Sequence, residues 1–132
     1  MRNAMRDAEV GDDVFGEDPT VNRLERVGAS LLGKDACLFV PTGTMANTIA
    51  VAMHCVLSGG MPGASAVCGA ESHLFKHESG SASALFGVML HPVRNVESDG
   101  TLCLDEVRRA LQLGSRVHEP QPRLVALEQT HK

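Results

Sequence analysis

Tryptophan and tyrosine are absent from this 132-residue chain, and phenylalanine occurs only four times. A core must therefore be built from Val, Leu, Ile, Ala and Met. No apolar run approaches the ~20 residues that span a bilayer. The opening stretch, MRNAMRDAEVGDD, is too charged for a secretory leader. Neither a membrane nor an export route is expected. Clusters of Lys and Arg are missing too, and the net charge of −4 argues against a nucleic-acid partner. The cysteines, Cys37, Cys55, Cys68 and Cys103, sit in apolar surroundings and form no CxxC pair. That pattern reads as buried, reduced thiols in a cytoplasmic protein, with no metal site. A GxGxxG fingerprint and a Walker lysine are also lacking, which disfavours the common modes of nucleotide binding.

What remains is an ordinary globular composition, 43% hydrophobic and 21% charged, long enough for one modest domain. A short helix fits residues 2–9. A stronger helix signal starts at Asp18, a candidate cap, with Pro19 at the first helical position. Val21, Leu24, Gly28, Leu31 and Leu32 fall on one face, and Gly33 ends the helix. The stretch 36–40, ACLFV, reads as a strand, and a largely apolar helix follows from about Thr44 to Leu57. SGGMPG (58–63) is a loop, and strands are expected at 65–69 and 88–93 with a weakly helical stretch between them. ESDGT is a turn. A helix follows over 104–111 with Asp105 as a candidate cap, and a last strand over 122–128. Strands alternating with helices predict an α/β fold with a mostly parallel sheet between helical layers. The layout ends on a strand, so it reads as an incomplete three-layer αβα unit, the front of a longer domain.

The junction PTGTMAN holds the sharpest local question. A strand that closes in small residues and opens a helix leaves backbone N–H groups unpaired at the positive end of the helix dipole. Gly43 permits close approach, and Thr42 and Thr44 offer hydroxyls, so an anion such as phosphate would suit the site. An ordinary turn with Thr44 as the N-cap explains the same residues. Both readings stay open from the tripeptide alone.

Taken together, MRDAEVGDDVFGEDPTVNRLE, LFVPTGTMAN, ESHLFKHE, DGTL and RLVALEQTH occur in the order expected of threonine aldolases, and the chain resembles the N-terminal part of that family. The resemblance implies the large domain of the pyridoxal phosphate (PLP) dependent transferases of fold type I, with residues 1–132 forming part of it. It implies a lyase that cleaves threonine, or another β-hydroxy amino acid, to glycine and an aldehyde. It also implies a homo-oligomer in the cytoplasm. By this resemblance Thr42, Gly43 and Thr44 hold the cofactor phosphate, His73 stacks on the pyridine ring, and His131 lies near the substrate hydroxyl. The acidic stretch from Asp12 to Asp18 matches a segment near the subunit interface. Three positions depart from the family pattern: Phe15 where tyrosine is frequent, Gln129 where asparagine is common, and Lys132 where asparagine usually follows the histidine.

PLP chemistry requires a Schiff-base lysine and an acid partner for the ring nitrogen. None of Lys34, Lys76 and Lys132 stands in the family's lysine context, so the chain by itself is expected to be inactive. The alternative is a non-catalytic remnant that binds a ligand or a partner subunit. A metal or redox module built on the cysteines is a third, weaker reading.

Overall fold

The computed structural model describes residues 1–59, 63–96, 98–113 and 116–131. The expected 58–63 loop and the turn at 97–101 lie partly outside the described residues, and the departure at Lys132 lies wholly outside them. The chain divides into two compact units, Met1–Pro41 and Thr42–Lys132.

In the first unit, helix α1 (Arg2–Arg6) is shorter than the sequence suggested, and a 3-10 turn follows at Asp13–Phe15. Helix α2 (Pro19–Leu32) has the bounds the sequence signals predict. Asp18 caps it: Oδ1 accepts the N–H of Val21 at 2.8 Å, and Oδ2 accepts the N–H of Gly11 at 3.1 Å. Gly33 closes it in the left-handed region at φ +60°, and the N–H of Lys34 returns to the Ala29 carbonyl at 2.9 Å. That is a Schellman stop, which only glycine adopts without a steric cost.

Two expectations fail in this unit. The stretch 36–40 forms no strand. A strand exists only through a ladder partner, and here the N–H of Phe39 donates instead to Glu25 Oε1 at 2.7 Å. The apolar face of α2 is largely uncovered: Leu24, Leu31 and Leu32 are exposed, and among its residues only Ala29 is buried. Cys37 is likewise exposed rather than buried.

The second unit is a parallel sheet between helices. Helix α3 (Gly43–Ala52) runs into a π-helical turn at Met53–Leu57. Then come β1 (Ser65–Gly69), α4 (His73–Lys76), α5 (Ser81–Phe86), β2 (Met89–Val93), α6 (Leu104–Leu111) and β3 (Pro122–Val125). The sheet order is β2-β1-β3, with both pairings parallel. β3 is shorter than the sequence suggested, although the N–H of Ala126 still reaches the Val67 carbonyl at 2.8 Å. Asp105 does not cap α6: the N-cap is Cys103, which makes no side-chain capping bond, and Asp105 pairs with Arg108.

β1 is central and wholly buried. Its alternation divides the core in two, because successive side chains point to opposite faces. Ala66 and Cys68 face a cluster of Val51, Cys55, Leu74, Ala82 and Val88, drawn largely from α3, the π turn, α4 and α5. Val67 faces the other way, with Val93, Ala110 and Val107, onto α6. Helices thus cover both faces of a parallel sheet, the three-layer arrangement expected from the sequence. No described helix is long and apolar enough to cross a membrane.

Candidate functional site

The carboxyl ends of the parallel strands converge on one region, where open α/β sheets bind ligands. β1 ends at Gly69 and leads to Ser72 and His73; β2 ends at Val93 and leads to Asn95; β3 ends at Val125 and leads to Glu128 and His131.

Ser72 caps α4, taking the N–H of Phe75 on its Oγ and donating to the Gly69 carbonyl at 2.7 Å. The first turn of any helix leaves amides unpaired. Here a carboxylate meets one of them: Glu128 Oε1 accepts the N–H of His73 at 3.1 Å. The other oxygen of Glu128 lies 2.7 Å from His131 Nδ1. Burial pushes the Glu128 carboxyl up, but the hydrogen bonds from His131 and from the His73 amide outweigh it and hold it below the ordinary value. One carboxylate thus joins the two histidines singled out from the sequence.

The His73 ring is held from another direction. Its Nδ1 lies 3.0 Å from Oε1 of Glu78, whose side chain is fully buried. The same oxygen accepts the side-chain amide of Asn47 at 2.6 Å. Asn47 lies on α3, one helical turn after Gly43. His73, Asn47, Ser72, Glu128 and Thr130 line a cavity of about 290 Å³. His131 lines a second, larger cavity of about 810 Å³ with Asn95, Gly100 and Leu102. Segment 126–129 borders both cavities. Gly100 is required beside His131: at φ +71° it is left-handed, and a Cβ there would stand 2.1 Å from the imidazole Cδ2.

At the mouth of α3, Thr42 is the N-cap, not Thr44: its Oγ1 accepts the N–H of Met45 at 3.1 Å. Thr44 lies inside the first turn, its carbonyl taking the hydroxyl of Thr48 at 2.7 Å. The Gly43 and Thr44 amides meet no hydrogen-bond partner among the described residues. A Cβ on Gly43 would touch nothing within 4 Å, so the approach to these amides is open. Two unpaired amides at a positive helix end, beside a hydroxyl and free space, fit a phosphate ester. Thr42, Gly43 and Thr44 do not line the His73 cavity; the link between them is α3 itself, through Asn47.

Lys76 is engaged elsewhere, in an ion pair with Glu71. Phe15, where the resemblance expects tyrosine, is exposed. Asn47, Glu78 and Glu128 are the residues that reasoning from sequence did not single out. All three lie inside the stretches PTGTMAN, ESHLFKHE and RLVALEQTH, but nothing in one sequence says that an Asn and a Glu 31 positions apart will meet.

The model of the family described as Beta-eliminating lyase matches residues 1–132, and the chain belongs to that family. It is 44% identical over 99% of its length to low-specificity L-threonine aldolase 1 of Arabidopsis thaliana, of which it covers 36%. It is 40% identical to the low specificity L-threonine aldolase of Escherichia coli K12, covering 99% of this chain and 37% of that one. A solved threonine aldolase from Leishmania major superimposes with a TM-score of 0.77 at 24% identity, over all of this chain and 36% of that one. The fold is therefore that of the N-terminal region of the fold-type I large domain. The chain spans a little over a third of the length of the relatives it matches.

Proposed function

We propose that this chain forms the cofactor-phosphate and ring-stacking part of a PLP-dependent threonine aldolase. The observation that carries the reading is the open mouth of α3, with the unpaired amides of Gly43 and Thr44 on the same helix that bonds to the His73 network. Thr42, Gly43 and Thr44 would hold the phosphate ester through backbone N–H and hydroxyl hydrogens. The Thr42 hydroxyl remains able to donate, because its bond to Met45 uses only a lone pair. His73 would offer a flat imidazole to the cofactor ring. When bound, pyridoxal phosphate supplies an electron sink for cleavage between Cα and Cβ of a β-hydroxy amino acid. His131, oriented by Glu128, would hold or move the proton of the substrate hydroxyl. The whole protein of which this is a part would act on threonine or a related amino acid, as a cytoplasmic homo-oligomer.

None of the three lysines, Lys34, Lys76 and Lys132, stands in the context that the family resemblance expects of the Schiff-base lysine, and Lys76 is paired with Glu71. We therefore expect reversible cofactor binding without turnover by these 132 residues alone. The test is titration of the isotope-labelled chain with pyridoxal 5′-phosphate, followed by amide resonances, with acetaldehyde assayed after adding threonine. The expected result is shifts at Gly43 and Thr44, competed by inorganic phosphate, and no acetaldehyde. Unmoved Gly43 and Thr44 resonances would remove the cradle, and steady acetaldehyde release would remove the inactivity. A non-catalytic binding fragment is the second reading, and the exposed apolar face of α2 favours it.

A further inference from the structure

We propose that Glu78 is a positioning residue that sets the tautomer and orientation of His73 and locks it to α3, so that the ring and the phosphate mouth are held as one unit. The assignment rests on the cofactor reading for its functional sense, and on hydrogen-bond geometry for its substance.

The side chain of Glu78 is fully buried, while that of His73 is 38% exposed. A buried carboxyl that serves no partner would be costly to keep. Glu78 places one oxygen, Oε1, between the Asn47 side-chain amide at 2.6 Å and His73 Nδ1 at 3.0 Å. An amide nitrogen can only donate, so Oε1 acts as an acceptor. With Glu78 as a carboxylate, Oε1 carries no hydrogen of its own, and the hydrogen in the second contact comes from the ring. His73 is thus held with hydrogen on Nδ1, and when neutral it keeps its lone pair on Nε2. That nitrogen meets no hydrogen-bond partner among the described residues. The second carboxyl oxygen of Glu78, Oε2, is buried and also without a partner among them. Glu78 is therefore retained in a costly place by what Oε1 does.

The backbone supports the same conclusion. Immediately after Glu78 the chain takes two successive left-handed residues, Ser79 at φ 52° and Gly80 at φ 67°. A serine there is strained, and such strain persists only where the surroundings over-determine it. The turn is closed by the Ser81 N–H on the Glu78 carbonyl at 2.9 Å, and Ser81 Oγ lies 3.1 Å from Thr48 Oγ1 on α3. Both the side chain of Glu78 and the turn that follows it are thus fastened to α3. His77 packs beside the His73 ring at a tilted 49°, with centroids 5.4 Å apart, and does not stack on it.

The test is nitrogen-15 spectroscopy of His73 in the full 132-residue chain and in two variants, with pyridoxal 5′-phosphate affinity measured by fluorescence titration. At a pH where the ring is neutral, wild type is expected to show the Nδ1–H tautomer. Glu78→Gln keeps a carbonyl acceptor and is expected to retain it. Glu78→Leu removes the acceptor at similar volume; its ring is expected to move to Nε2–H, with affinity weakened about tenfold, one hydrogen bond's worth of ordering. An Nε2–H ring in wild type would overturn the proposal, as would a Glu78→Leu chain with unchanged tautomer and affinity. If Glu78→Leu does not fold, the wild-type and Glu78→Gln tautomers decide. A wild-type Nδ1–H ring with no response to the cofactor would uphold the hold of Glu78 on His73 while removing the cofactor reading itself.

Discussion

Single residues in this chain owe their behaviour to which backbone amides reach them. Asp18 is buried and receives two N–H groups. The bonds from Val21 and Gly11 outweigh burial and hold its carboxyl below the ordinary aspartate value of 3.8. A carboxyl depressed in the folded state adds stability above its unfolded value and loses it as pH falls through the folded one. D18N is therefore expected to unfold more easily than wild type near neutrality. That gap in denaturant midpoint should close as the pH drops below 3.8; a gap independent of pH would contradict the capping role. The cysteines divide by the same logic. The positive end of α6, the nearby N–H of Glu106 first, holds the Cys103 thiol down against burial although it forms no capping bond to the sulfur, and Arg94 Nη2 adds to it at 3.5 Å. Burial pushes Cys55 and Cys68 up. In a native-state thiol titration, Cys37 and Cys103 are expected to react first, and Cys55 and Cys68 only after unfolding.

At the scale of elements, β1 decides the second unit. Val67 is the β1 residue of the apolar cluster against α6 and is fully buried, so V67A is expected to cost about 2 kcal/mol: two methyl groups plus a cavity that a sheet cannot close. Chemical denaturation would measure it, and a loss near zero would mean that the α6 layer is not packed as described. The turn before α6 serves His131. Because Gly100 is left-handed and already crowded by the imidazole, G100A is expected to cost on the order of 1–2 kcal/mol and to shift the His131 resonances. Unmoved His131 signals would mean that the ring does not lie there.

Over the whole molecule the covered and uncovered apolar surfaces differ sharply. The parallel sheet is buried on both faces at β1, while Leu31 of α2 is 81% exposed and Phe39 is 48% exposed. Among the described residues, the outer strands β2 and β3 each pair on one side only. Such surfaces attract one another. The chain is expected to enhance the fluorescence of an apolar dye under native conditions, and L31A is expected to change stability by less than about 0.5 kcal/mol. A large loss in L31A would mean that α2 packs more tightly than its exposure indicates.

Local chemistry was legible along the chain. Asp18, Pro19 and Gly33 mark the ends of α2 because caps and left-handed stops are satisfied by neighbours a few residues away. The apolar runs at β1 and β2 identify themselves as strands, and of the two β1 is buried throughout. Ladders and networks were not legible in the same way. ACLFV has strand composition, but a strand is a relation between two segments, and among the described residues no second segment pairs with it. Thr42 rather than Thr44 is the N-cap because the backbone enters the helix at Gly43, two residues earlier than the residue types alone indicate. For His73 and His131, the family resemblance drew attention to the rings. Only the tertiary structure brought Glu78, 31 residues from Asn47, and Glu128, 55 residues from His73, into hydrogen-bond range. Sequence by itself determined the ends of α2 and the chemistry each segment carries, since those depend on neighbours along the chain. The site depends on which strand ends are brought side by side, and packing of the sheet alone decides that.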